Sequence, residues 1–88
     1  MKFQVHDLGY LNGGEIVEIT LLGNAANVKL MDNLNFSNYK LGRNHKYYGG
    51  YITHSPYRVL VPNSGRWYIT VDLGGYSGTV RSSIRIIH

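Results

Sequence analysis

The side chains that could do chemistry are concentrated in residues 33–71. This stretch of 39 residues contains no Asp or Glu, yet it carries Lys40, Arg43, Lys46, Arg58 and Arg66, His45 and His54, and most of the tyrosines. The five acids, Asp7, Glu15, Glu18, Asp32 and Asp72, all lie outside it. The formal net charge of +4 therefore divides as −2 over residues 1–32, +5 over 33–71 and +1 over 72–88. Cations set among aromatic rings attract anions and stack on planar groups. The pattern predicts one basic, ring-rich surface, carried by Tyr39, Arg43, His45, Lys46, Tyr47, Tyr48 and Arg58. Its ligand would be an anionic or nucleotide-like small molecule, or an acidic protein surface.

The densest part is Lys46-Tyr47-Tyr48-Gly49-Gly50-Tyr51, flanked by His45 and His54. Aromatics beside cations on a strand are how β-sheet proteins stack bases and neutralise phosphates. The string shares a cation, a following aromatic and a glycine with the RNA-recognition signature. It departs from that signature at Tyr47 and at Gly50, and the fold that carries it needs two helices that the sequence does not show. The plainer role for these residues is a soluble sheet edge, with one alternating set of tyrosines filling the border of the core.

Other constellations are weaker. Gly74-Gly75-Tyr76-Ser77-Gly78 precedes a strand, so it lacks the helix N-terminus from which phosphate loops derive their affinity. Asn24, Asn27, Asn33, Asn35 and Asn38, with Tyr39 and Arg43, could line a sugar or nucleotide pocket, but asparagine also satisfies a loop's own backbone. Arg81 and Arg85 share a strand face with Thr79 and Ser83, which fits a solvated face and also a phosphate grip. Glu15 and Glu18 are three apart, so a strand sends them to opposite faces and they cannot pair for acid–base work. There is no cysteine, no His-x-x-x-His and no acidic cluster. No catalytic residue, metal site or cofactor is expected, and a non-enzymatic role is favoured.

These side chains have to be positioned by a small scaffold. A chain of 88 residues makes one domain, here expected over 1–88. Its eleven glycines and eight tyrosines against two alanines favour strands and tight turns. The absence of cysteine fits a reducing cytoplasm, and the chain has no apolar run of the roughly 20 residues that cross a bilayer as a helix. The segment 1–6 lacks the apolar core of a secretory leader. Small β proteins with many open edges often self-associate, so a homodimer is a natural expectation.

Period-two alternation runs through 15–22, 26–32, 57–61, 66–73 and 78–87, with weaker strands near 3–6 and 47–53. In 66–73 Trp67, Ile69, Val71 and Leu73 share one face and Arg66, Tyr68, Thr70 and Asp72 the other. Pro62-Asn63-Ser64-Gly65 reads as a turn and predicts a hairpin between 57–61 and 66–73. Residues 33–44 lack alternation and read as a long loop. Asp7-Leu8-Gly9-Tyr10 echoes Asp72-Leu73-Gly74-Gly75-Tyr76, which reads as repeated turn chemistry rather than a duplicated site. About seven short strands imply an all-β fold, a small antiparallel β-sandwich, with a small barrel as the alternative.

The segments Asp7-Leu8-Gly9-Tyr10-Leu11-Asn12-Gly13-Gly14, Gly23-Asn24-Ala25-Ala26-Asn27-Val28-Lys29-Leu30-Met31-Asp32, Asn35-Phe36-Ser37-Asn38-Tyr39, Tyr47-Tyr48-Gly49-Gly50 and Val61-Pro62-Asn63-Ser64-Gly65-Arg66-Trp67-Tyr68 are spread over most of the chain. Together they resemble a small bacterial family catalogued as domain of unknown function 1883. The resemblance implies a β-sandwich-like domain, found alone or attached to a Toll/interleukin-receptor-type signalling domain. It implies no activity, cofactor or site residue. An accessory sensing role beside such a domain follows from it. The alternatives to ligand recognition are a self-associating or partner-docking β domain and, third, single-stranded nucleic-acid binding.

Overall fold

The alternating segments become seven strands in the computed structural model: β1 (Gln4–Leu11), β2 (Ile16–Gly23), β3 (Ala26–Asp32), β4 (Tyr48–Ile52), β5 (Tyr57–Leu60), β6 (Gly65–Asp72) and β7 (Val80–Ile87). One helix, α1 (Asn33–Lys40), lies between β3 and β4. The structure describes residues 3–88; Met1 and Lys2, the start of the segment tested for a secretory leader, lie outside them. The strands form two antiparallel sheets, one of four strands in the order β1-β6-β3-β4 and one of three in the order β5-β2-β7. They pack as a small β-sandwich and do not close into a barrel.

The inner faces meet in an aliphatic core. Val17 and Ile19 come from the three-stranded sheet, and Val28, Leu30, Ile69 and Val71 from the four-stranded sheet. Burying each such side chain is worth about 1.5–3 kcal/mol. Trp67 joins them, and its indole N–H donates to the Asn63 carbonyl at 3.0 Å. On the outer side of the four-stranded sheet a second core gathers Met31, Phe36, Tyr39 and Tyr68, with Phe3 against it. Residues 67–72 of β6 are consequently all buried, because β6 is an inner strand covered on both faces.

The helix corrects the expected loop over 33–44. Its sequence is poor in helix formers and rich in asparagine, so no helical period is visible. Asp32 supplies the missing start signal: its carboxylate accepts from the Asn35 amide at 2.9 Å and from Asn35 Nδ2 at 2.8 Å. Phe36 and Tyr39, three apart, form the face laid on the sheet.

The predicted hairpin between β5 and β6 is also corrected. β5 pairs with β2, while β6 sits between β1 and β3. Val61, at the end of β5, instead bonds to the β1–β2 connection, donating to the Glu15 carbonyl at 2.9 Å and accepting from the Gly14 amide at 2.8 Å. Pro62-Asn63-Ser64 therefore carries the chain from one sheet to the other. Trp67, Ile69 and Val71 on one face and the Tyr68 ring on the other gain more at the centre of a covered sheet than beside the exposed β5.

The repeated Asp-Leu-Gly makes the same side-chain-to-backbone bond twice, at a bulge inside β1 and at the end of β6. Asp7 Oδ1 accepts from the Gly9 amide at 2.9 Å and Asp72 Oδ1 from the Gly74 amide at 2.8 Å. Both glycines hold positive φ, 70° and 67°. At the other edge of the sandwich, side chains join β1 to β7: Gln4 Nε2 donates to the Val80 carbonyl at 2.7 Å, and Ser82 Oγ bridges Gln4 and His6.

Candidate functional site

α1 covers only part of the outer face of the four-stranded sheet. Beside it, β3 alternation turns Lys29 outward between Asn27 and Met31, and the cross-strand register sets it against Thr70 of β6 and Gly49 of β4. The α1–β4 connection is tied back over this position. The Arg43 amide donates to the Asn38 carbonyl at 2.8 Å, and the Lys46 amide donates to Asn35 Oδ1 at 2.7 Å. His45 then lies 5.1 Å from the Tyr39 ring and 5.5 Å from the Tyr47 ring, centroid to centroid.

Lys29 Nζ sits among these rings, 5.0 Å from the Tyr39 centroid, 4.6 Å from the Tyr47 centroid and 3.3 Å from His45 Nε2. His45 Nδ1 lies 3.0 Å from the Arg43 carbonyl, which can only accept, so the proton belongs on Nδ1 and Nε2 accepts from the lysine. No carboxylate lies within 4.0 Å of Lys29, Lys40, Arg43 or Lys46 among the described residues. The corner thus keeps a half-buried ammonium held by ring faces and an imidazole instead of a counter-ion.

Beneath Lys29 lies a buried polar network. Tyr39 OH donates to Asp72 Oδ2 at 2.7 Å, and Asn27 Nδ2 donates to Asp72 Oδ1 at 3.0 Å. Burial and then the Asp72 carboxylate push the Tyr39 hydroxyl well above its usual range. Burial alone would raise the Asp72 carboxyl, but the donors from Asn27, Tyr39 and Gly74, with the Lys29 charge, outweigh it and hold the group below 3.8. The Thr70 hydroxyl is buried on the same sheet face, beside the Tyr39 hydroxyl.

These shifts give a pH dependence whose sign is fixed. A carboxyl with a depressed folded pKa stabilises above its unfolded value and loses that contribution as pH falls through the folded one. His6 is lowered by burial, so the folded state resists its protonation and acid weakens the fold from 6.5 downward. The melting temperature is expected to drop modestly as pH falls below 6.5, then steeply below 3.8, as Asp72 titrates. Thermal melts from neutral pH to about pH 3 check this; a melting temperature that rises on acidification contradicts it.

The sequence-predicted residues fall into separate places. Tyr39, His45 and Tyr47 meet around Lys29. Tyr47 and Tyr48 diverge, as strand neighbours do; Lys46 and Tyr48 line a pocket of about 130 Å³ with Asp32, Asn35, Asn63 and Trp67. Arg43 is exposed in the α1–β4 connection. Arg58 is on the other sheet, where it and Arg85 clasp Glu18 at 2.8 and 3.1 Å. Arg66 pairs with Asp7. The expected single basic surface is therefore divided, because acids from outside the stretch reach two of its cations across the sheets. The asparagines are mostly spent on structure: Asn24 accepts from the Thr79 amide and Asn33 from Tyr68 OH.

A family model described as Domain of unknown function (DUF1883) matches residues 1–88, the whole chain. The chain belongs to this family. No curated protein and no solved structure matches it. Membership therefore adds no residue role to those drawn from the geometry of this DUF1883 domain. Among its described residues no helix is long and apolar enough to cross a membrane, and no three His, Asp or Glu side chains are grouped to hold a metal ion.

Lys29 and Asp72 were not marked by the charge pattern, since both lie just outside the acid-free stretch. The signal available was facial: Asn27 and Lys29 share the polar face of one alternating strand, and Asp72 lies on that of another. Pairing those two strands puts all three together.

Proposed function

We propose that this domain is a non-enzymatic recognition module that binds an anionic, nucleotide-like ligand at the Lys29 corner. The observation that carries the reading is Lys29 Nζ, fixed between the Tyr39 and Tyr47 rings and His45 with no carboxylate contact. An ammonium held this way is pre-oriented and has donors to spare, so a phosphate or carboxylate gains a charge-assisted hydrogen bond. Tyr47, 43% exposed, offers a ring face to a planar group. Lys46 and Arg43 add positive charge on the same connection.

Calorimetric titration with AMP and with inorganic pyrophosphate tests this at about 50 and about 200 mM salt. Binding of AMP is expected to weaken as salt rises. Lys29→Met is expected to weaken it about tenfold or more and to flatten the salt dependence. A Lys29→Met protein that binds AMP as the parent does removes the reading.

A second reading, docking of an acidic protein surface, is favoured by the outer face of the three-stranded sheet. That face is uncovered and carries a row Leu60, Ile16, Ile87 beside the row Arg58, Glu18, Arg85. Glu18 is largely covered by its two arginines, which remain 59% and 67% exposed with most of their donors free. Like charges oppose face-to-face pairing of two copies, whereas an acidic partner with aliphatic side chains complements both rows. A peptide with glutamate and valine two residues apart, so that both project from one side when it is extended, is expected to bind this face and to lose binding in Arg58→Glu/Arg85→Glu; unchanged binding contradicts the reading.

A further inference from the structure

We propose that the cleft beside the β6–β7 connection is a second site, built for a small organic cation with an apolar body, such as a protonated primary amine. The cleft has a volume of about 690 Å³ and lies where the start of β1 and the end of β6 meet residues 73–80. Small-molecule sites span roughly 300–1,000 Å³. Phe3, Val71, Leu73 and Val80 give it apolar walls, and Tyr76, 83% exposed, stands at its rim.

The charge of the cleft selects the ligand. Among the described residues that line it there is no Lys, Arg or His, and the one charged side chain is Asp72. Asp72 is only 4% exposed. A carboxylate offers about four lone-pair positions. Asn27 Nδ2 and the Gly74 amide occupy Oδ1, and the Tyr39 hydroxyl takes one position on Oδ2. One position on Oδ2 is left over. An ammonium reaching it forms a charge-assisted hydrogen bond in a poorly solvated place, whereas an anion is repelled. The Phe3 and Tyr76 rings suit the rest of such a ligand, since ring faces attract cations and their apolar substituents.

Asp72 also joins this cleft to the Lys29 corner, because the Tyr39 hydroxyl bonds its carboxylate while the Tyr39 ring lies against Lys29. The two sites have opposite charge preference, so they are separable. Lys29 pulls on Asp72 from the outer side of the sheet. Removing it leaves the carboxylate's field on the cleft stronger.

Chemical-shift titration of the full chain with phenethylammonium, 2-phenylethanol and phenylacetate tests the proposal. Phenethylammonium is expected to shift resonances of residues 73–80 and to bind at least about tenfold more tightly than phenylacetate, the alcohol falling between. Phenylacetate binding as well as the amine, or shifts that avoid this segment, overturns it. Tyr76→Ala changes an exposed side chain and leaves the fold intact; it is expected to weaken amine binding severalfold. Unchanged amine affinity in that variant also overturns the proposal. Lys29→Met is expected to keep or improve amine binding while losing AMP, which separates failure here from failure at the Lys29 corner.

Discussion

Replacing Asp72 with alanine is expected to remove most of the stability of this domain. The side chain is 4% exposed and accepts from Asn27, Tyr39 and the Gly74 amide. Alanine leaves these donors in a place that water reaches poorly, and an unsatisfied buried donor costs about 1–3 kcal/mol. The sum, roughly 3 kcal/mol or more, compares with a total near the lower end of about 5–15 kcal/mol for a chain this short. Tyr39→Phe deletes only one donor along with its need for a partner, and should cost about 1 kcal/mol. Urea unfolding of both variants decides the matter. An Asp72→Ala midpoint equal to that of Tyr39→Phe contradicts the assigned network.

Gly49→Ala is expected to be nearly as damaging and to disable the Lys29 corner as well. Gly49 opposes Lys29 in the β3–β4 ladder at φ +134°, a conformation costly for any residue with a Cβ. A Cβ there would collide with the Val28 carbonyl oxygen, and backbone cannot swing aside as a flexible side chain can. The strain alone is of order 1–3 kcal/mol, and relieving it means parting β4 from β3. β4 is an edge strand and Tyr47 immediately precedes it, so Tyr47 leaves Lys29 when the ladder opens. The variant is expected to melt at a lower temperature and to lose AMP binding in the same protein. Hydrogen exchange at the Tyr48 and Gly50 amides should rise above that of β6. A Gly49→Ala protein with the parent's melting temperature and affinity contradicts this.

The architecture was legible because strand alternation is local: Val17 and Ile19, or Val28 and Leu30, announce a buried face without reference to any partner. What alternation does not encode is which strand lies alongside. Arg58 and Arg66 look like unopposed cations in the linear sequence, and become neutralised ones once Glu18 and Asp7 arrive from 40 and 59 residues away. For the same reason Lys29 and Asp72 look like ordinary outward polar residues of separate strands. Their roles follow from β3 pairing with β6 and from α1 bringing Tyr39 over both. The helix itself was hidden because its stability comes from one cap and two buried aromatics, and neither leaves a periodic trace in eight residues. The β5–β6 turn misled for a related reason: Pro62-Asn63-Ser64-Gly65 has hairpin chemistry, and burial of both faces of β6 outweighed it.

Chemical-shift mapping of the labelled chain with AMP tests the recognition reading most directly. The shifts are expected to centre on Lys29, His45 and Tyr47, to extend to Lys46, and to leave Arg58 and Arg85 on the opposite sheet untouched. Perturbations concentrated on the Arg58–Arg85 face, or none at AMP concentrations that saturate comparable weak sites, roughly 10 mM, would leave Lys29 as a packed structural lysine and the module without its proposed ligand site.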